Sequence, residues 1–133
     1  WRLITGEVIP VNLERRPAWV LAADLPRLAD PAPARGVRFL PPHDPYLQMR
    51  DRATLVADRA VQRRLWRAAG SPGAVLADGE LVATWRAEKH GKRLCLTVES
   101  FAASLPDLEA EAQALLPFRG CTELDLNVNG AGS

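Results

Sequence analysis

The sequence has few of the residues from which metal, redox and disulfide sites are built. Its 133 residues include two histidines and two cysteines. Cys95 and Cys121 are too few and too far apart for a disulfide framework, and neither lies in a CxxC pair, so we expect reduced, structural thiols. No apolar run approaches the roughly 18 residues of a membrane-spanning helix, and no signal-peptide pattern is present. We therefore expect a cytoplasmic protein with no metal, no cofactor and no membrane contact.

The sequence also lacks the motifs of the common hydrolytic and nucleotide-dependent enzymes. It contains no GxSxG, HExxH, P-loop or GxGxxG pattern, and its carboxylates do not form a glycosidase-like pair. His43 lies among prolines, and the adjacent Asp44 is better explained by turn formation before Pro45 than by orienting a catalytic histidine. We therefore assign no catalytic residue to this chain, and an independent small enzyme is the least supported hypothesis.

The composition that remains is that of an ordinary globular protein, with 47% apolar residues, 25% charged residues and a net charge of +1. We predict one domain over residues 1–129 and a disordered tail at residues 130–133. Because the chain begins at Trp1 in strand-like sequence, we expect a piece of a longer protein. Residues 50–67 carry six arginines and two aspartates, whereas residues 100–133 carry one arginine and five carboxylates. Such asymmetry can mark an anionic partner, although two solvated helix faces are the more common cause.

Residues 73–99 are the central feature of the sequence and are predicted to form three antiparallel strands. Two-residue turns at Asp78-Gly79 and His90-Gly91 join them, because glycine accepts the positive φ that such turns need and aspartate tolerates it. The resulting cross-strand pairs include Leu76 with Leu81, Ala74 with Ala83, Glu88 with Arg93, and Trp85 with Leu96.

This register gathers the apolar residues on one face of the three-stranded meander, which therefore needs a covering layer. Val82 and Cys95 are exceptions, since both fall on the polar face. The predicted apolar set is Ala74, Leu76, Leu81, Ala83, Trp85, Ala87, Leu94, Leu96 and Val98.

Flanking segments are predicted to supply that layer and additional strands. A helix over Arg59–Ala69 is capped by Asp58 and ends at Gly70, and a second helix begins at a capping-box-like Ser104 and ends near Pro117. The other predicted elements are strands at residues 7–12, 17–22, 37–40 and 123–128, and short helices at residues 25–29 and 52–56. The predicted fold class is α+β: a mostly antiparallel sheet, the meander plus flanking strands, covered by two main helices.

Two groups of basic residues can carry a function. The tip of the second hairpin suits contact with DNA phosphates or a groove, and the alternative is a solvated turn in which lysine blocks edge pairing. The same two interpretations apply to the arginines of the predicted helix. The candidate DNA-binding residues are Lys89, His90, Lys92, Arg93 and Arg86 on the hairpin, and Arg63, Arg64 and Arg67 on the helix. Trp19, Trp66 and Trp85 are predicted core residues, whereas Trp1 cannot be interpreted.

Several stretches form a pattern that is fairly specific when they are taken together. They are Pro17–Leu21, Arg35–Leu47, Asp51-Arg52, Gly73–Gly79 and Thr84–Arg86, and the second contains the run Arg-Gly-Val-Arg…Pro-x-x-Asp-Pro-Tyr. Over residues 7–118 this pattern resembles the C-terminal part of the bacterial winged-helix DNA-binding-domain protein family, which includes the AlkZ/YcaQ-type DNA glycosylases.

The resemblance implies a protein of tandem winged-helix units with a β-rich C-terminal part. In that family the hydrolytic motif, a Gln-hydrophobic-Gln-like triplet, lies in the N-terminal portion. Gln48, Gln62 and Gln113 stand outside any such triplet, so the resemblance transfers no catalytic residue to this chain. Crosslink-unhooking and alkylpurine glycosylases of this kind use β-hairpins against DNA, and Glu80–Glu99 is the matching hairpin.

The resulting hypothesis is a DNA-binding module that contacts double-stranded DNA and the N-terminal winged-helix portion of the same protein. The alternative is a structural clasp that packs against those N-terminal units without touching DNA. Strand 7–12 and the apolar or thiol side chains of Val82 and Cys95 on the polar face motivate this alternative.

Overall fold

The computed structural model describes residues 6–13, 15–49 and 51–130. Outside the described residues lie Trp1, Glu14, Arg50 and residues 131–133 of the predicted tail. The chain divides into two units, residues 1–33 and residues 34–133. The single domain expected over residues 1–129 stays a prediction.

The unit of residues 1–33 is a two-stranded antiparallel sheet followed by a short helix. It contains β1 at Val8–Leu13, β2 at Arg16–Leu21 and α1 at Leu25–Ala29. Pro10 is accommodated in β1 because each strand of a two-stranded sheet is an edge strand. The prediction that Trp19 is a core residue is wrong, since its side chain is 56% exposed. A lone hairpin with one short helix offers too few side chains to enclose an indole ring.

The unit of residues 34–133 contains a five-stranded sheet in the order β3-β4-β5-β6-β7. Its strands are β3 at Val37–Leu40, β4 at Gly73–Ala77, β5 at Glu80–His90, β6 at Arg93–Ser100 and β7 at Glu123–Asn129. The first four strands pair antiparallel and β7 pairs parallel with β6. Its helices are α2 at Arg52–Leu55, α3 at Arg59–Leu65, α4 at Glu109–Gln113 and α5 at Leu116–Arg119. The predicted α+β fold with a mostly antiparallel sheet is confirmed.

The first turn of the meander lies where it was predicted. Asp78 and Gly79 have φ values of 48° and 90°, as a type I′ turn requires. The Asp78 carboxylate accepts a hydrogen bond from the Gly36 amide at 2.8 Å, and the Asp78 amide donates to the Gly36 carbonyl at 3.0 Å. The turn is thereby tied to the start of β3.

A β-bulge just beyond this turn changes the predicted faces of the sheet. Leu76 pairs with Leu81 as predicted, but Val75 pairs with Ala83, which leaves Val82 without a partner in the β4–β5 ladder. Ala74 consequently lies opposite Thr84 and not opposite Ala83. The bulge places Val82 and Ala83 in the same hydrophobic cluster and Leu81 in a different one.

The second turn is displaced by one residue from its predicted position. His90 pairs with Arg93, so the two loop residues are Gly91 and Lys92, and Trp85 lies opposite Val98. Gly91 has a φ of 62°, whereas His90 keeps a negative φ. Glycine therefore occupies the first central position of the turn, where a type II′ turn requires positive φ. The displacement preserves the predicted faces of the sheet. Each residue's partner lies two positions from the predicted partner, and residues two apart on a strand share a face.

The sheet is buried on both sides and not on the single face that was predicted. One side packs around Trp85, Leu94, Leu96 and Val98 against the segment containing α4, where Leu108 and Ala112 are buried. The other side forms a second cluster. Its buried members are Leu47, Leu65, Ala74 and Leu81.

The helices are shorter than the sequence predicts. Helix α3 ends at Leu65, four residues before the predicted end, and the predicted C-terminal helix is divided into α4 and α5. Asp107 accepts a hydrogen bond from the Glu109 amide at 2.9 Å, so regular helix begins after it. Pro117 lies in the first turn of α5, which proline tolerates, and Gly120 follows at a φ of 61°. Within the described residues, no helix is long and apolar enough to cross a membrane.

Candidate nucleic-acid interface

Helix α3 presents arginines because its apolar residues are turned toward the second cluster. The Asp58 carboxylate caps the helix by accepting hydrogen bonds from the amides of Ala60 and Val61, at 2.6 and 3.4 Å. Leu65 is buried and Val61 is half-buried against the sheet. The intervening positions are therefore directed away from the core, and they carry Arg63, Arg64 and, just past the helix end, Arg67.

Three of the predicted DNA-binding arginines converge on one cleft between α3 and strands β5 and β6. This arginine cleft has an empty volume of about 340 Å³. It is lined by Arg64, Arg67, Pro72, Thr84, Trp85, Arg86, Thr97 and Glu99. Its donors include two threonine hydroxyls and three guanidinium groups, and Glu99 adds one carboxylate.

A hydrogen bond, an ion pair and a ring contact hold two of the cleft arginines, Arg86 and Arg64, in place. The Arg86 guanidinium donates to the Gly70 carbonyl at 2.7 Å, which leaves its positive charge uncompensated. The Arg64 guanidinium lies 3.6 Å from the Glu99 carboxylate and 5.8 Å from the ring centre of Phe101. Since the Arg64 and Glu99 side chains are 39% and 58% exposed, their ion pair is a weak one.

A second arginine-lined depression lies on the other side of α3. This helix hollow has an empty volume of about 750 Å³ and is lined by Arg52, Ala53, Arg59, Gln62, Arg63 and Trp66. The Arg52 guanidinium lies 5.1 Å from the ring centre of Trp66, whose indole nitrogen donates to the Leu47 carbonyl at 2.8 Å. Arg63 is thus separated from the cleft, and Arg52 is a candidate that the sequence prediction omitted. The sequence feature that could have identified Arg52 is its position in the arginine-rich segment 50–67.

The basic residues at the tip of the second hairpin are mostly engaged with the chain itself. The Lys89 ammonium donates to the Arg119 carbonyl at 2.8 Å, at the C-terminal end of α5 where a cation is favoured. The Arg93 guanidinium pairs with the Glu123 carboxylate at 3.1 Å. The remaining contact joins His90 to Glu88 at 3.6 Å.

Lys92 differs from the other basic residues of the tip. Its side chain forms no ion pair with any described residue, whereas its carbonyl accepts hydrogen bonds from the amides of Thr122 and Glu123 at 2.8 and 3.1 Å. The tip is therefore fastened through its backbone to the start of β7. The eight candidate residues thus divide into three in the arginine cleft, one in the helix hollow and four at the tip.

Other predicted assignments have clear structural outcomes. The Asp44 carboxylate accepts a hydrogen bond from the Tyr46 amide at 2.9 Å, which confirms its role in a turn next to His43. Trp85 is a core residue, as predicted: its indole nitrogen donates to the Leu40 carbonyl at 2.9 Å and its ring meets Phe39 edge-on. No group of three or more potential metal ligands occurs among residues 6–13, 15–49 and 51–130.

The two thiols are free in the structure, with Cys121 buried and Cys95 half-buried. The Cys95 sulfur lies 3.8 Å from a carboxylate oxygen of Asp125 on β7. Burial, and next the negative charge of Asp125, raise the pKa of the Cys95 thiol above its ordinary value. Cys95 is therefore a protonated thiol at neutral pH.

Comparison with known proteins adds a family and a structural neighbour. The model of the family described as DNA glycosylase AlkZ-like matches residues 1–118, in agreement with the resemblance noted in the sequence. No curated protein matches the chain. Among solved structures, the chain is similar to Streptomyces sahachiroi DNA glycosylase AlkZ, with 26% sequence identity and a TM-score of 0.71. The similarity covers 96% of this chain and 35% of that one, so the chain spans about a third of the length of this relative.

Proposed function

The chain belongs to the AlkZ-like DNA glycosylase family, and we propose that it is the DNA-binding C-terminal domain of a winged-helix repair protein. In this proposal it contacts the phosphate backbone of double-stranded DNA, while base excision is performed by residues of the parent protein outside this chain. The observation that carries the proposal is the concentration of arginines on α2, α3 and β5. These residues, named here the arginine surface, are Arg52, Arg59, Arg63, Arg64, Arg67 and Arg86.

Guanidinium groups are well suited to this role because their planar donors match the oxygens of a phosphate. Arg59, Arg63 and Arg67 form no ion pair with any residue in the described part of the chain, so their charges are available to a phosphate. The ion pair of Arg64 with Glu99 is a small obstacle, since an exposed pair of this kind contributes about 0–1 kcal/mol. A DNA phosphate can therefore replace Glu99 at Arg64 with little loss.

The hairpin tip has a secondary part in this proposal. Lys92 is the contact we assign to DNA at the tip, together with the Lys89 ammonium, whose charge is held at the end of α5 but is not neutralised. Arg93 and His90 each have a carboxylate beside them, and a phosphate has to compete with Glu123 or Glu88 for them. The hairpin thus extends the arginine surface and does not replace it.

The test is binding of the 133-residue chain to a fluorescently labelled duplex of about 20 base pairs, titrated from 50 to 200 mM salt. Phosphate contacts release counterions, so we expect the logarithm of the affinity to fall linearly with the logarithm of the salt concentration, by roughly 0.9 per contact. Absence of salt-dependent binding at 50 mM contradicts the proposal. A glycosylase activity of the 133 residues alone contradicts the placement of base excision outside the chain.

A structural clasp is the second candidate function, and exposed apolar side chains favour it. In the unit of residues 1–33, Leu13, Trp19 and Leu28 are all exposed, and such groups often mark a protein interface. Val82 no longer supports this alternative, because its side chain is buried in the main core. Sedimentation of the wild-type chain and of a Trp19→Ser, Leu28→Ser variant tests the clasp. Self-association that the variant loses, in a chain that does not bind DNA, is the result expected for it.

A further inference from the structure

The arginine cleft continues along the surface toward α5. A third depression, with an empty volume of about 500 Å³, shares Pro72, Trp85 and Arg86 with the cleft and adds Arg119 at its far end. Arg119 lies at the end of α5, and its carbonyl accepts the hydrogen bond from the Lys89 ammonium. Arg67, Arg86 and Arg119 thus line two adjoining depressions, which form one basic track from α3 across β5 to α5.

An exposed aromatic residue lies next in sequence to Arg119, the residue that lines the α5 end of this track. Phe118 immediately precedes Arg119, and its side chain is 87% exposed, the largest exposure of any large apolar residue described in the structure. Burial of a phenylalanine side chain stabilises a fold, and an almost fully exposed one forgoes nearly all of that stabilisation. The folded unit itself therefore gives no reason for an aromatic ring at this position.

The backbone around Phe118 is held firmly. The Arg119 amide donates to the Leu115 carbonyl at 3.2 Å, and the Cys121 amide donates to the Leu116 carbonyl at 3.0 Å. Beyond these bonds, β7 is fastened to the hairpin tip through Lys92, as described above. Phe118 is thus carried by the same hydrogen-bonded helix as Arg119, and a fixed backbone limits the conformational entropy that is lost on contact with a ligand.

From this juxtaposition we propose that Phe118 stacks on an unpaired base while the basic track holds the phosphates of the same strand. Grooves that bind single-stranded nucleic acid combine these two elements, a positively charged path along the backbone and an aromatic ring for the base. The ligand is therefore a nucleotide that is unpaired at a bulge, an end or a lesion. This inference rests on the proposed DNA contact and adds the structure of the strand that is contacted.

The test uses a duplex of about 20 base pairs with one bulged 2-aminopurine, whose fluorescence is quenched by stacking on a ring. We expect the wild-type chain to quench this base and to bind the bulged duplex more tightly than the paired one. Stacking on an aromatic side chain contributes about 1–3 kcal/mol per base. We therefore expect Phe118→Leu to abolish the quenching and to weaken binding of the bulged duplex by about 5-fold or more, with the paired duplex unaffected.

Two further variants make the result specific. Phe118→Tyr keeps an aromatic ring and is expected to retain the quenching, and Met49→Ala removes another exposed apolar side chain and is expected to change nothing. Because Phe118 is almost fully exposed, the two Phe118 substitutions remove no core packing. Equal weakening of both duplexes by Phe118→Leu, or unchanged quenching, overturns the inference and leaves the proposed DNA contact intact. Loss of all salt-dependent binding in the wild-type chain instead overturns the proposed function.

Discussion

The arginine surface and the hairpin tip are both basic in the sequence, yet the folded chain treats their charges differently. At the tip, Arg93 and His90 have carboxylates beside them, and Lys89 is hydrogen-bonded to the end of α5. On the arginine surface, Arg64 alone has a carboxylate partner among the described residues. Positive charge counted along a sequence is therefore a poor measure of the charge that a phosphate meets.

The difference has a topological cause. Strand β7 is added to the sheet in parallel beside β6, and this places Glu123 and Asp125 directly opposite Arg93 and Cys95. Strand β7 thus brings acidic side chains beside the residues of β6 that follow the hairpin tip. The arginine surface lies on α2, α3 and β5, where Glu99 is the carboxylate that lines the cleft.

The largest expected effect distinguishes the two regions by their packing. A methyl group added at Gly73 would collide with the Trp85 indole nitrogen and the Leu40 carbonyl, whereas one added at Gly91 would meet open space. We expect Gly73→Ala to break the Trp85–Leu40 hydrogen bond and to lower the free energy of unfolding by about 3 kcal/mol. We expect Gly91→Ala to lower the free energy of unfolding by about 1 kcal/mol, because alanine adopts a positive φ less readily than glycine. Urea unfolding of both variants measures the free energy of unfolding. Equal decreases in the two variants would show that the wall of the cleft is no more rigid than the tip.

A pair of matched triple variants gives the next effect in size. Each variant removes three positive charges. The first carries Arg63→Ala, Arg64→Ala and Arg67→Ala, and the second carries Lys89→Ala, Lys92→Ala and Arg93→Ala. At about 1 kcal/mol per charge-assisted contact, we expect the first set to weaken duplex binding about 100-fold and to reduce the salt slope by about three. The second set should reduce the slope by about one or two, because its charges are partly engaged within the chain.

The outcome of this comparison decides between the structural and the sequence-based assignment. A larger loss for the hairpin variant would restore the tip as the main DNA contact, as the sequence alone suggests. Circular dichroism of both variants is the control for folding, since Lys89 also stabilises the end of α5.

Much of the fold follows from local signals, and what does not is long-range. Asp78-Gly79 specified its turn and the strand alternation specified the buried set of β6, because both depend on neighbouring residues. The bulge at Val82 has no such signal, since it arises from packing both sides of the sheet. The same limit applies to the site. The candidate basic residues could be identified from the sequence, but the groups that they contact could not. The partners of Lys89 and Arg93 each lie 30 residues away, on α5 and β7, and depend on the placement of those elements.

A smaller effect tests whether Glu99 regulates access to the arginine cleft. Glu99→Gln removes the negative charge that lies 3.6 Å from the Arg64 guanidinium and that repels a phosphate. Since exposed charge pairs contribute up to about 1 kcal/mol, we expect duplex affinity at 50 mM salt to rise about 2- to 5-fold. Glu80→Gln makes the same charge change at the exposed start of β5 and is the matched control. An unchanged or reduced affinity of Glu99→Gln would remove Arg64 from the DNA contact.

The smallest expected effect concerns the acidic edge that distinguishes the hairpin side of the sheet. The pKa of the Cys95 thiol is raised by burial first and by the Asp125 carboxylate second, so neutralising that carboxylate should lower the pKa toward its ordinary value. A lower pKa gives more thiolate at pH 8, and thiolate is the form that reacts.

In a Cys121→Ala background, where Cys95 is the remaining cysteine, Asp125→Asn should therefore speed alkylation by iodoacetamide by about 2-fold. This gain should shrink as the pH rises through the pKa. Asn127→Asp places a carboxylate two residues further along β7, on the same face, and should slow the reaction slightly. A rate that Asp125→Asn leaves unchanged would mean that the field of the β7 carboxylates does not reach across to β6. In that case the contrast drawn between the two basic regions would rest on direct ion pairs alone.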